Sequence, residues 1–231
     1  MDGANQRFMS RKSAWLADHL ILYGVNKTGG MDNPFGQALG TIGTELPVHD
    51  FDLRKIGDIM NQGNAAKAYE LRKLDETIGS GKNSKARKIS GSTHAITAYF
   101  LPWGRGSTFS GQLGVNADYF FTPTLNGCTF AHSGNGPNPS VAHSNFVDPI
   151  TTMSDQNAMN NDLTVVFGGA MPPQTLIKAT YKHPAIGLED FKATVVGIRT
   201  GNAWAFYYQN YKVELVGSSL VSSGVSLCVP I

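Results

Sequence analysis

Apolar positions divide the chain into two regimes. Between Ser10 and Val25, Trp15, Leu16, Leu20, Ile21 and Leu22 recur at near-helical spacing before Gly24 and the Gly29-Gly30 pair, which predicts a short helix. Residues 28–47 are rich in Gly, Pro, Asn and Thr, so they read as loop. A second helical stretch is expected after a cap at Asp50 or Asp52. It places Leu53, Ile56, Ile59 and Met60 on one face, and Ala65, Tyr69, Leu71 and Leu74 continue it past Gly63. The polar, basic segment from Gly79 to Lys88 has no apolar period and reads as a connector.

Beyond Lys88 the residue choice shifts to β-branched and aromatic types. Strands are expected at Ile96–Leu101, Asp118–Phe121, Leu163–Phe167, Ala193–Ile198, Ala205–Tyr208 and Lys212–Val216. Thr200-Gly201-Asn202 between two of these runs predicts a hairpin. Short strands without ten-residue helices between them argue against a doubly wound sheet. The fold class expected is therefore α+β: a mainly antiparallel β-sandwich with helices packed outside and a helical N-terminal extension. Residues 1–85 would form the extension and residues 86–231 a single domain. The extension is expected to cover one sheet face.

Composition narrows the functional classes. Nineteen Lys and Arg against seventeen Asp and Glu leave a formal charge of +2, without a basic stripe of the kind that grips a phosphate backbone. Nucleic acid is not an expected ligand. Gly-Ser-Gly-Lys at 79–82 departs from a phosphate loop, because Glu76 takes the place of the first glycine and Asn83 that of the hydroxyl residue. Two cysteines make no disulfide framework and suit free thiols. The apolar run from Ala14 to Val25 is interrupted by Asp18 and His19, so no signal peptide is evident. No window reaches the length of a membrane span.

The chemistry concentrates on Cys128, in Leu125-Asn126-Gly127-Cys128, and on His143, fifteen residues later. A thiol attacks as its thiolate, and an imidazole is the usual group that generates one. Gly127 lets backbone approach a substrate and, with Cys128, offers N–H donors for an oxyanion. The residue types alone fit an ordinary buried cysteine somewhat better. Cys128, His132 and His143 could instead be three zinc ligands, but the Gly/Pro/Asn loop between them lacks an evident supporting shell. We therefore assign no metal, and His132 reads as a polar loop residue at a cleft rim. His19, His49, His94 and His183 read as surface or hydrogen-bonded structural residues.

Leu101-Pro102-Trp103, Tyr119-Phe120-Phe121-Thr122, Leu125-Asn126-Gly127-Cys128 and His143 together resemble the Burkholderia lethal factor and the catalytic domain of cytotoxic necrotizing factors, glutamine-deamidating toxins. Val196–Gly201 and Tyr208-Gln209 resemble closing strands of the lethal factor, and the likeness spans roughly residues 95–212. The family carries Leu-Ser-Gly-Cys, a threonine six residues before the cysteine and a histidine downstream. Here Asn126 replaces the serine. The resemblance implies a β-sandwich with a shallow cleft, Cys128 as nucleophile, His143 as base and Thr122 as its orienting group, through hydroxyl or main-chain carbonyl. Asn126, His132 and Gln209 would lie at the substrate cleft, and no cofactor is implied.

The implied protein is a monomeric toxin or effector, secreted or delivered, acting in the host cytoplasm. It would convert a glutamine of a host protein to glutamate. The target would be translation initiation factor 4A, a DEAD-box helicase, with a block of translation, or a Rho-family GTPase. The alternatives are another thiol acyl-transfer enzyme, a peptidase or transglutaminase, and a non-catalytic β-sandwich binding module.

Overall fold

The computed structural model describes residues 2–23, 43–61, 64–78, 85–88, 94–182, 191–216 and 219–231. Two helices, α1 (Asp2–Arg11) and α2 (Ser13–Leu16), lead into β1 (His19–Leu22), β2 (Val48–Asn61), β3 (Asn64–Lys73), β4 (Asp75–Ile78) and β5 (Lys85–Lys88). Next come β6 (Ile96–Phe100), β7 (Ser107–Gln112), β8 (Tyr119–Phe121), β9 (Thr129–His132) and β10 (Ser140–Asn145). The chain continues with α3 (Gln156–Val166), β11 (Gln174–Leu176), α4 (Lys178–Tyr181), β12 (Lys192–Thr200), β13 (Ala203–Val216) and β14 (Ser219–Pro230). No helix among the described residues is long and apolar enough to cross a membrane.

The strands form an eight-stranded sheet in the order β1-β3-β2-β6-β8-β12-β13-β14, a four-stranded sheet in the order β11-β9-β10-β7, and the β4-β5 pair. Among the described strands, pairing is antiparallel except for β1 with β3 and β6 with β8. The main core lies between the two larger sheets. Tyr99, Phe120, Val195 and Phe206 from the larger sheet meet Phe109, Phe130, Val141 and Leu176 from the smaller. Alternate residues of the same strands, Phe100, Phe121, Val196 and Ile198, face the other way, onto Phe8 of α1 and Trp15 and Leu16 of α2. Both faces of β6, β8 and β12 are thus buried, which is why these strands read as continuous apolar runs. On the outer side of the small sheet, Ala131 and Ala142 pack on Leu163 of α3. The β-rich α+β sandwich with helices outside is the fold expected, and the β12-β13 hairpin turns at Gly201 with φ +61°.

Several expectations are corrected. The helix expected over 53–74 is the β2-β3 hairpin, in which Phe51 and Leu53 oppose Lys73 and Leu71. A register shift between Lys55 and Gly57 inserts Ile56 and moves Ile59 to a different apolar cluster from Leu53. That bulge disguises a two-residue period as a helical one. The helical extension is therefore largely strand: β1, β2 and β3 belong to the eight-stranded sheet, and β2 pairs directly with β6 across the boundary expected at residue 85. Among the described residues of the extension, helix is confined to α1 and α2, and Leu20–Leu22 are strand.

The strand expected at Leu163–Phe167 is the end of α3. The Asp155 carboxylate accepts the Ala158 N–H at 2.9 Å, capping the helix. Met159 and Leu163, four residues apart, bury one face while Val165 is exposed. Cap and i,i+4 burial override the β propensity of the valines. The loop expected at 28–47 lies mostly outside the described residues, and of the 79–88 connector the described part, Lys85–Lys88, is a strand paired with Asp75–Ile78.

Candidate active site

Cys128 directly precedes β9, and the register of β9 with β10 sets His143 opposite Phe130 and Ser144 opposite Thr129. Side chains two apart share a sheet face, so Cys128 and Phe130 point to the same side as Val141 and His143. Cys128, Phe130 and Val141 join the core between the sheets, whereas Ala131 and Ala142 face α3. Extending that register by two residues makes Cys128 and His143 diagonal neighbours on one face. Both are buried, Cys128 with 4% and His143 with 0% exposure.

Thr122 follows β8, and Leu101 follows β6, its parallel neighbour. The Leu101 N–H donates to the Phe121 carbonyl at 3.0 Å, and the Thr122 hydroxyl donates to the Leu101 carbonyl at 2.9 Å. Thr122 Oγ1 also stands 2.7 Å from His143 Nδ1. A hydroxyl has one hydrogen, and a carbonyl can only accept. With that hydrogen on Leu101, the Nδ1–H must donate to Thr122. The imidazole is therefore held with Nε2 as its basic nitrogen. Nε2 is buried and has no hydrogen-bond partner among the described residues, the Cys128 thiol included.

Burial governs the titration of both groups. It pushes the Cys128 thiol up to about 11, against a smaller lowering by a backbone hydrogen bond from Asn126, and it pushes the His143 imidazole down to about 3. The resting pair is neutral thiol and neutral imidazole.

The turn that carries the thiol is fixed by contacts that sequence patterns do not reveal. Gly127 has φ +93°, and a Cβ there would lie 2.1 Å from Ser154 Oγ. Tyr181, fully buried on α4, accepts the Gly127 N–H at 2.8 Å and donates to the Cys128 carbonyl at 3.0 Å. The Asn210 side chain donates to the Tyr181 carbonyl at 3.1 Å. The expected Gly127 oxyanion donor is thus already paired, leaving the Cys128 N–H. Tyr181 lies 53 residues from Cys128 and no local motif marks it.

Of the three residues expected at the cleft, Asn126 is exposed beside the thiol. The other two are corrected. His132 is not a rim residue: it ends β9 with 0% exposure, its Nδ1 lies 3.1 Å from the Gly134 carbonyl, and its ring sits 4.3 Å from that of Phe206. Gln209 is also buried, and its amide accepts the Ile21 N–H and donates to the Leu16 and His19 carbonyls. It ties β1 and α2 to the sheet. Among the described residues no group of three His, Cys, Asp or Glu side chains is arranged to hold a metal. His19 is a structural residue, stacked on Trp15 at 4.1 Å with Nδ1 2.9 Å from the Trp15 carbonyl.

The sequence matches no protein-family model and no curated protein sequence. Among solved structures, the C-terminal domain of CNFy from Yersinia pseudotuberculosis is similar, with a TM-score of 0.37 and 10% sequence identity, over 81% of this chain and 89% of that one.

Proposed function

We propose that the protein is a cysteine hydrolase that deamidates glutamine side chains of a host protein. The observation that carries this reading is the relay from the Leu101 carbonyl through the Thr122 hydroxyl to His143 Nδ1. It leaves a bare Nε2 on the sheet face shared with Cys128. A buried, unpaired polar atom costs about 1–3 kcal/mol, and a base that must accept a proton during reaction accounts for its presence. The resemblance of the motif residues to glutamine-deamidating toxins supplies the substrate class.

In this mechanism a primary amide enters beside Cys128. His143 Nε2 takes the thiol proton as Sγ attacks the amide carbon, so the ion pair forms with the bond rather than before it. The carbonyl π pair moves to oxygen, which the Cys128 N–H holds. Collapse breaks the C–N bond, and the imidazolium gives its proton to the leaving ammonia. Water, deprotonated by His143, then cleaves the thioester. Glutamine and water become glutamate and ammonia, and Cys128 is regenerated. The host target belongs to the same proposal: a translation initiation factor 4A-like helicase, or a Rho-family GTPase, met in the host cytoplasm.

The test is mass spectrometry of host-cell lysate treated with wild type or Cys128→Ser, reading +1 Da at single glutamines together with ammonia release. One or a few wild-type-specific sites are expected. Cleaved peptide bonds without ammonia would instead identify a peptidase, and no modified site at all overturns the reading.

A further inference from the structure

We infer that the Tyr181 hydroxyl is the second donor to the oxyanion, acting where the Gly127 N–H would have been expected; this rests on the acyl-transfer chemistry proposed for Cys128. The hydroxyl is held at the turn that carries the nucleophile, between the Gly127 N–H at 2.8 Å and the Cys128 carbonyl at 3.0 Å. It lies close enough to Cys128 for charge on the thiol to oppose ionisation of the phenol, after the larger effect of burial.

The direction of its bonds matters. Gly127 cannot donate to a substrate while Tyr181 accepts its proton. A hydroxyl that accepts one hydrogen bond becomes a better donor of another. When Sγ bonds to the acyl carbon and the π pair moves to oxygen, the Tyr181 O–H turns from the Cys128 carbonyl to the new anion and keeps its own proton. Burial holds the phenol far above its ordinary range, so it donates without ionising. On collapse of the intermediate it returns to the carbonyl. The Asn210 side chain, holding the Tyr181 main chain at 3.1 Å, and the core around the ring keep the group in register.

Two reactions of the same thiol separate this role from simple positioning. Acylation of Cys128 by p-nitrophenyl acetate passes through an oxyanion, whereas alkylation by iodoacetamide is a displacement without one. Tyr181→Phe is expected to lower the burst rate constant on the order of 100-fold, with the concentration dependence of the burst and the alkylation rate within about twofold of wild type. Equal losses in both reactions would make Tyr181 a scaffold for the turn and overturn the inference. So would an unchanged burst, or a wild-type protein with no burst.

If Tyr181→Phe does not fold, 3,5-difluorotyrosine incorporated at position 181 keeps the ring and hydroxyl while making the phenol more acidic. The burst should then accelerate at constant alkylation rate, and an unaltered burst overturns the inference. Ammonia release from a blocked glutamine dipeptide is scored separately. Its absence alongside a normal Tyr181-dependent burst removes the deamidase reading and leaves this one standing.

Discussion

Thr122 Oγ1 and His143 Nδ1 are 2.7 Å apart, and because the Thr122 hydrogen goes to the Leu101 carbonyl, the imidazole is the donor between them. A serine or threonine in this place orients a base without adding charge. That differs from a carboxylate, which would stabilise an imidazolium as it formed.

Thr122→Val removes the acceptor for Nδ1–H and the donor to Leu101 while keeping the shape. Loss of the fixed tautomer should lower turnover up to about 100-fold, and two buried groups without partners should cost roughly 1–3 kcal/mol of stability each. Thr122→Ser should restore most of both. Ammonia release and denaturant midpoints measure the pair of effects. A Val variant with wild-type turnover would show that the hydroxyl does not orient the base.

The titration of Cys128 gives a second expectation. With the thiol pushed up to about 11 and the imidazole pushed down to about 3, thiolate is scarce at neutral pH. Iodoacetamide alkylation should rise about tenfold per pH unit from pH 7 toward 11. His143→Ala should leave the profile's position unchanged. A plateau below pH 8 that disappears in His143→Ala would mean that a thiolate-imidazolium pair already exists at rest.

Acid should weaken the fold through the same histidine. Unfolded, the imidazole takes a proton near 6.5; folded, burial delays this to about 3. Between those values the unfolded state binds more protons, so stability falls as pH falls from 6.5 toward 3, by at most about 1.4 kcal/mol per pH unit for one group. His132 is also pushed down by burial and adds in the same direction. Urea midpoints for wild type and His143→Gln should converge as pH falls through this window. Parallel curves would mean that His143 does not carry the acid sensitivity.

Sequence reasoning read the sandwich well where both faces of a strand are buried, because Ile96–Phe100, Tyr119–Phe121 and Lys192–Thr200 allow no helical pattern. It misread β2, where the insertion of Ile56 shifts the phase, and α3, whose valines favour strand while the Asp155 cap favours helix. At the site, the positions of Thr122, Cys128 and His143 followed from a motif. Tyr181 did not, since its contact with Gly127 is made by sheet topology over 54 residues. Gln209 was expected at the substrate cleft, whereas its buried role depends on where β1 docks, which no local pattern encodes.

Gly127 offers a steric prediction with two separable parts. Gly127→Ala places a side chain at φ +93° and within 2.1 Å of Ser154 Oγ. The backbone part should cost on the order of 1 kcal/mol or more, and the contact adds to it. Ser154→Gly in the same chain removes the contact and not the dihedral strain, so the double variant should recover only part of the loss. A double-mutant cycle read by denaturant midpoints checks this, and full additivity would mean that the turn relaxes away from Ser154.

The N-terminal third supplies part of the sheet and of its core. Removing residues 1–85 takes away β1, β2 and β3 and leaves Phe100, Phe121, Val196 and Ile198 without Phe8, Trp15, Leu16 or Leu53 over them. It also opens the paired edge of β6, a row of unpaired backbone groups beside a bare apolar face. The truncated chain should aggregate and lose its cooperative melt. A milder lesion tests the same interface: Gln209→Leu strips partners from the Ile21 N–H and the Leu16 and His19 carbonyls. It should cost about 1–3 kcal/mol for each group left without a partner while leaving the alkylation rate of Cys128 unchanged, because Gln209 holds β1 rather than the thiol turn. A soluble, monomeric 86–231 fragment with a cooperative transition would show that the strands before residue 85 are an addition to the sandwich rather than part of its core.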